Sequence, residues 1–287
     1  MTRLSFWAAL ATTVGVIVGC NPSKELPDEI PRATESTPQA PTVPKASDSA
    51  AKAYLEQAVK AYTGGKPELV AKGNLSRLLL RGKTTYPGGN QNVPVEATRT
   101  IAAVWPDRFR DTDELQIDGK KLVVEAWMHR PHLVIASGTM EENYSNTPRE
   151  KTFAADVVAQ HWMALFLPLT DPKAVVYELK TQLGTSPTGQ PFSTETLKLA
   201  IGEYPIFSLT FDATTHSLLR VEYAVSELGR TIHRTWTMLD HKPGPEGLSL
   251  PSKMQCRWDN DVKEEWEVQK WEFPATIPDS EFQGPKR

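Results

Sequence analysis

Short stretches in which apolar and polar residues alternate recur along this chain, and that period of two limits what it can fold into more than any other feature. Phe207, Leu209 and Phe211 share one parity, and Met254, Cys256 and Trp258 do the same opposite Lys253, Gln255 and Arg257. Successive strand side chains point to opposite faces, so these stretches predict a sheet with one dry and one wet face. The same pattern predicts strands opening at Leu78 and Leu80, then from Val95 to Trp105, Phe109 to Leu115, Lys121 to Met128 and His132 to Ala136. It resumes from Val175 to Lys180, Thr196 to Ile201, Ile206 to Phe211, Leu218 to Val225, Thr231 to Leu239, Pro251 to Trp258 and Glu264 to Phe273. Turn residues Pro87-Gly88-Gly89-Asn90 and Asp118-Gly119 punctuate the series. In the last strand Trp266 and Val268 share a parity while Trp271 and Phe273 take the other, which calls for a bulge near Gln269 or Lys270. About ten strands spaced in this way, with one or two helices, imply one curved antiparallel sheet of the α+β, mainly β, class rather than βαβ units.

Two segments carry the helical period instead. Leu55, Ala58, Val59 and Tyr62 are spaced for one helix face, Gly64-Gly65 stops them, and Pro67 opens a second short turn with Leu69 and Val70. Residues 152–167 interrupt the strands: Phe153, Val157, Val158, His161, Trp162, Leu165 and Phe166 cover a broad apolar face that ends at Pro168.

The N-terminus is organised differently. After Arg3, the run from Leu4 to Val18 is apolar, too short for a comfortable bilayer span and suited to the h-region of a secretory signal. It closes on Ile17-Val18-Gly19-Cys20, which resembles the bacterial lipobox. Residues 1–19 therefore read as a lipoprotein signal peptide and Cys20 as the lipidation site, its acyl chains (palmitate among them) anchoring the protein in a membrane. Residues 20–49 read as the lipidated cysteine and a Pro/Ser/Thr-rich tether, since residues 21–50 hold six of the 23 prolines and seven serines or threonines. Such a composition cannot repay the entropy of ordering. Residues 50–287 read as a single domain. With Cys20 acylated, Cys256 has no disulfide partner and reads as a small buried apolar residue. Two cysteines exclude a disulfide-rich scaffold, and 32 basic against 35 acidic residues exclude a protein built to grip nucleic acid.

Several short motifs occur in a recognisable order: Tyr62 with Gly64-Gly65, then Trp105-Pro106-Asp107-Arg108-Phe109, Asp118-Gly119-Lys120, and Phe211-Asp212 before Leu218-Leu219-Arg220-Val221. Gly247-Leu248-Ser249-Leu250-Pro251 and Ile277-Pro278-Asp279-Ser280-Glu281-Phe282 complete the series. Together with the lipidated leader, this order resembles the lipoprotein-sorting chaperone (LolA/LolB-like) superfamily over about residues 50 to 283. The resemblance implies an incomplete barrel, a strongly curved antiparallel sheet whose concave apolar face is covered by helices, with a cavity for acyl chains. It departs at Trp105, where the carrier chaperones have an arginine that helps hold lid and cargo.

Acyl chains need dry surface, and the candidates for lining such a cavity are Phe109, Leu122, Trp127, Phe207, Leu209 and Trp236 from strands, with Val157, Trp162 and Phe166 from the covering helix. Filling of an ordinary core is the competing role for the same residues. His129-Arg130-Pro131-His132 lacks the helical spacing of a zinc site, and Gly184-Thr185-Ser186-Pro187-Thr188-Gly189 lacks the spacing of a nucleophile elbow. Glu141-Glu142 and Glu264-Glu265 fall on strands, where neighbours diverge, so they read as solvated edges. His161 on the apolar helix reads as a buried, hydrogen-bonded residue in preference to a polar group near a ligand head. These readings make a non-enzymatic, lipid-anchored envelope protein facing the periplasm, without cofactor or metal, whose partners are the acyl chains of a lipid or lipoprotein. The alternative is an interaction module with a filled core that binds an envelope protein. Asn21 after the cysteine favours the outer membrane over the inner.

Overall fold

The computed structural model of the chain describes residues 43–85, 93–161, 166, 169–185, 191–227 and 229–284. The leader, Cys20, the tether to residue 42, the turn at 87–90, Ser186–Gly189, Trp162, Leu165 and Pro168 lie outside the described residues.

Helix α1 (Ser49–Thr63) starts where Asp48 Oδ1 accepts from the backbone N–H of Ala50 (2.7 Å) and Ala51 (3.2 Å), satisfying donors that a helix leaves unpaired. It stops at Gly64, whose φ of 60° is left-handed backbone that a side chain resists. A 3-10 turn (Pro67–Asn74) leads into a first meander: β1 (Leu75–Thr85), β2 (Pro94–Val104), β3 (Arg108–Ile117), β4 (Lys120–His129), β5 (His132–Ser137) and β6 (Met140–Asn143). Helix α2 (Pro148–Gln160) follows. The second meander is β7 (Ala174–Thr185), β8 (Pro191–Ile201), β9 (Phe207–Asp212), β10 (Leu218–Glu227), β11 (Arg230–Pro243), β12 (Ser249–Trp258) and β13 (Asp261–Glu272).

The thirteen described strands form one antiparallel, unclosed sheet in the order β6-β5-β4-β3-β2-β1-β13-β12-β11-β10-β9-β8-β7. This is the mainly β, α+β architecture predicted from the alternation. The extra strands include β6, Met140 to Asn143, whose residues do not alternate between apolar and polar. Every pair of neighbours in the sheet is also consecutive in sequence except β1 and β13, so the two meanders meet at one seam. There the anticipated bulge is present: Leu79 faces Lys270 and Leu80 faces Val268, leaving Gln269 unpaired. Gly82 sits opposite Trp266, and a Cβ on it would lie 1.9 Å from the backbone oxygen of Glu265.

The dry parity runs across the strands in register. Cys256, Trp236, Val221, Leu209 and Leu197 form one transverse row over β12 to β8, every member buried. Helix α1 lies on this face with Ala51, Leu55, Ala58 and Val59 buried, and the Tyr62 hydroxyl accepts from Leu218 N–H at 2.7 Å. Ser47 and Asp48 bond to Val176 on β7, which fixes the entry to α1. On the opposite face Ile277 and Phe282 from the C-terminal segment cover Ala102 and Val104.

Helix α2 connects the two free edges, β6 and β7. It begins at Pro148, four residues before the predicted start, because Arg149 and Glu150 belong to its first turn rather than to a polar loop. Glu150 is buried and accepts from Arg130 Nε at 2.6 Å. The Arg130 guanidinium lies 4.7 Å from the Tyr204 ring centroid, and Tyr204 stacks on Trp105 at 5.1 Å. Arg130 follows β4, Tyr204 precedes β9 and Trp105 follows β2, so side chains bridge the halves of the sheet at this end. Trp105 is thus part of a stack.

Gly82→Ala is expected to cost about 3 kcal/mol, because backbone rather than a movable side chain occupies the space. Urea unfolding measures this, and a loss below about 1 kcal/mol would show that the seam tolerates a wider approach.

Candidate functional site

Between α2 and the concave face lies a pocket of about 170 Å³. One wall is apolar: Val124, Ala126 and Ile135 from β4 and β5, with Phe153 and Val157 from α2. The other is charged, formed by Arg99, Asp111, Asp113 and Glu264 around the seam and by Asp156 and Arg234 beside Trp258. These charged residues occupy the dry parity. Arg99 alternates with Ala97 and Ile101, Asp111 and Asp113 lie between Phe109 and Leu115, and Arg234 lies between Ile232 and Trp236. Register then gathers them, since Arg99 faces Asp113 across β2–β3, and Ile101 faces Asp111.

Arg99 is the hub. Its side chain is only 8% exposed, and it donates to Asp113 through Nε (2.7 Å) and Nη2 (2.9 Å), to Glu264 through Nη1 (2.7 Å) and to Gln160 of α2 (3.3 Å). Its guanidinium lies 4.5 Å from the Trp266 ring centroid. Burial alone would favour losing the proton, but the carboxylates of Asp113, Glu264 and Asp111 outweigh it and hold Arg99 charged. A second group repeats the theme: Arg234, 4% exposed, pairs with Asp156 of α2 and lies 4.3 Å from the Trp258 ring centroid. The Tyr223 hydroxyl also donates to Asp156, and Trp236 Nε1 donates to that hydroxyl at 3.2 Å.

Asp111 is held differently. Its Oδ1 lies 3.8 Å from Arg99 Nε, is inaccessible to solvent and has no hydrogen-bond partner. Burial and the neighbouring Asp113 carboxylate push its pKa well above the usual carboxylate range, against the pull of Arg99. The Trp258 indole N–H is likewise buried without an acceptor. The pocket remains reachable, since the side chains of Asp113 and Asp156 are each 19% exposed.

The residues predicted to line an acyl cavity fall into four groups. Val157 lines the pocket. Phe109, Phe207, Leu209 and Trp236 are 0–1% exposed within the main core, with Leu122 half-buried against it, and Phe166 is buried beside Gly73. Trp127 lies on the other face: Phe109 pairs with Met128, so Trp127 pairs with Arg110, and its ring is against Gly284. Trp162 is outside the described residues. Glu264 corrects the solvated-edge reading, being 12% exposed on the pocket side, while Glu265 faces away and bonds to Gln255. His129 and His132 face each other across the β4–β5 hairpin and are exposed. Cys256 is buried, its thiol pushed up by burial.

His161 is buried, as read from the helix pattern. Its Nδ1 is 2.7 Å from Ser76 Oγ, and Nε2 has no partner. Burial pushes its pKa down to about 3, so the folded protein holds it neutral while the unfolded chain takes up a proton below the ordinary histidine pKa of about 6.5. Stability contributed by this site is full above that pH and should fall by an amount on the order of 5 kcal/mol as pH drops toward 3. Urea titrations from pH 7 to 4 should show the fall, and His161→Gln should flatten it; an equal slope in the variant would contradict the assignment. For Asp111 the sign reverses, because a raised carboxyl pKa makes folding less favourable as pH rises. Asp111→Asn is expected to be neutral or stabilising at pH 7 and above by the same measurement, and a loss exceeding about 1 kcal/mol would contradict this.

No protein-family model matches the chain, and no curated protein matches it. Among solved structures it is similar to a LolA superfamily protein from Nitrosomonas europaea, at 10% identity and a TM-score of 0.46 over 82% of this chain and 97% of that one. It is similar to a DUF1329 family protein from Desulfovibrio piger, at 10% identity and a TM-score of 0.45 over 81% and 97%. A domain described as an outer membrane lipoprotein-sorting protein, from Vibrio parahaemolyticus, is similar at 10% identity and a TM-score of 0.43 over 78% and 97%.

Proposed function

We propose that this chain is a lipid-anchored envelope protein, tethered through Cys20, that binds an amphiphile with its polar head in the pocket under α2. The observation that carries this reading is the two-sided lining, apolar from Val124, Ala126, Ile135, Phe153 and Val157 and charged from Arg99, Asp111, Asp113 and Glu264. An acyl chain alone gains nothing from a charged wall, and about 170 Å³ falls below the roughly 300 Å³ at which pockets for larger ligands begin. The head of a lipid satisfies both walls. The leader and the family resemblance of the motifs agree with a lipid or lipoprotein ligand in the envelope. The reading is non-enzymatic: among the described residues the nearest approach to a nucleophile–base pair, Ser76 with His161, has both members buried, and neither lines the pocket.

The experiment is native mass spectrometry of the full chain extracted from its own membranes, with the released small molecules identified. A stoichiometric amphiphile is expected, and Val157→Trp, which fills the pocket, should lower its occupancy at least several-fold. A chain that carries no amphiphile would overturn the reading. The filled core favours a second reading, since Phe109, Phe207, Leu209 and Trp236 leave no open space around them. In that case the chain is a docking module, and the extract should contain a stoichiometric envelope protein instead.

A further inference from the structure

We propose that the pocket is a site for a protonated primary amine, taken by Asp111 and Asp113, with the Trp258 indole N–H donating to an oxygen of the same ligand. The proposal rests on the reading of this pocket as the head-group site and names the class of head.

Charge balance argues for a cation over an anion. Among the described residues lining the pocket, Arg99, Arg149 and Arg234 stand against Asp111, Asp113, Asp156 and Glu264, so with every group ionised one negative charge is in surplus, and a proton or an ammonium balances it. Two of the arginines are already committed: Arg99 to Asp113 and Glu264, and Arg234 to Asp156. Arg149 likewise has an interacting partner. A phosphate held by these arginines would have to displace their carboxylates. An ammonium breaks no hydrogen bond at Asp111, whose Oδ1 accepts none, and displaces only that carboxyl's proton. The indole of Trp258, which lines the same pocket, has an N–H without an acceptor, so an oxygen elsewhere on the ligand can take it.

Asp111 also carries a built-in competitor for the amine. Facing it are Asp113 on its own strand, Arg99 from β2, Glu264 from β13, Arg234 from β11, Tyr144 after β6, and Arg149, Asp156 and Gln160 on or at the end of α2. With carboxylates in the majority, the raised carboxyl keeps a proton where an ammonium would otherwise sit. The amine and that proton exclude one another, so uptake of one releases the other. Affinity is then expected to rise about tenfold per pH unit below the Asp111 titration and to level off above it.

The same chemistry could come from a free amino alcohol or from an ethanolamine lipid head, and the test separates them. The full chain in non-ionic detergent is titrated calorimetrically with ethanolamine, with a short-chain phosphatidylethanolamine and with phosphatidylglycerol of the same chain length, across a pH series. The expected result is binding of the ethanolamine lipid at least tenfold tighter than of the glycerol lipid, tightening as pH rises, and lost at least tenfold in Asp111→Asn. Wild-type pH dependence needs no variant, and the folding of Asp111→Asn is checked by the urea titration above. Equal binding of both lipids, independent of pH and of Asp111, would overturn the amine assignment and leave the lipid reading standing. Ethanolamine bound as tightly as its lipid would support the amine site and overturn the lipid reading. No binding of any of the three would overturn both.

Discussion

Where β1 runs beside β13, Gly82 lets two backbones approach more closely than any side chain would permit, and on that contact the whole sheet depends. Two meanders that each turn on local hairpins would otherwise be separate curved sheets. Joined at this seam, they place Arg99 of β2 next to Glu264 of β13, although the two are 165 residues apart. The unpaired Gln269 one turn along the same ladder shifts the parity of β13, so that Trp266 and Trp271 both face inward. The seam therefore makes the fold and assembles the charged wall of the pocket by the same pairing.

The free edges, β6 and β7, do not pair with each other, and α2 connects them instead. It is a helix of alanines and valines on its buried side, but polar pairs fasten it: Glu150 to Arg130, Asp156 to Arg234 and Gln160 to Arg99. Buried ion pairs of this kind rarely add net stability over apolar packing, because desolvation offsets the attraction. Their concentration under one helix, around a space that admits solvent, marks a place shaped by something other than stability. A protein that needed only to seal its concave face had an easier solution in the aromatic packing under α1.

Most of the fold was legible in the sequence because its cause is local. Alternation located nearly every strand, Gly64-Gly65 ended α1, and the change of parity between Val268 and Trp271 located the bulge. What escaped depended on register. Trp127 and Met128 are adjacent and both apolar, and only the pairing of Phe109 with Met128 tells which one faces inward. The start of α2 was missed because Glu150 looks like a solvent residue until Arg130 is placed beside it. The charged wall did leave a signal: Arg99, Asp111, Asp113, Arg234 and Glu264 interrupt dry-parity runs. Read alone, each resembles a strand end or a surface residue. Their convergence requires the β1–β13 pairing, which no local pattern specifies.

An experimental structure of the chain taken from its native membranes decides whether the space under α2 is a ligand site or a packing defect. Non-protein density is expected in contact with Asp111 and the Trp258 indole, with α2 still fastened through Asp156 to Arg234. A pocket closed by its own side chains, with Asp111 bonded within the protein, would contradict it.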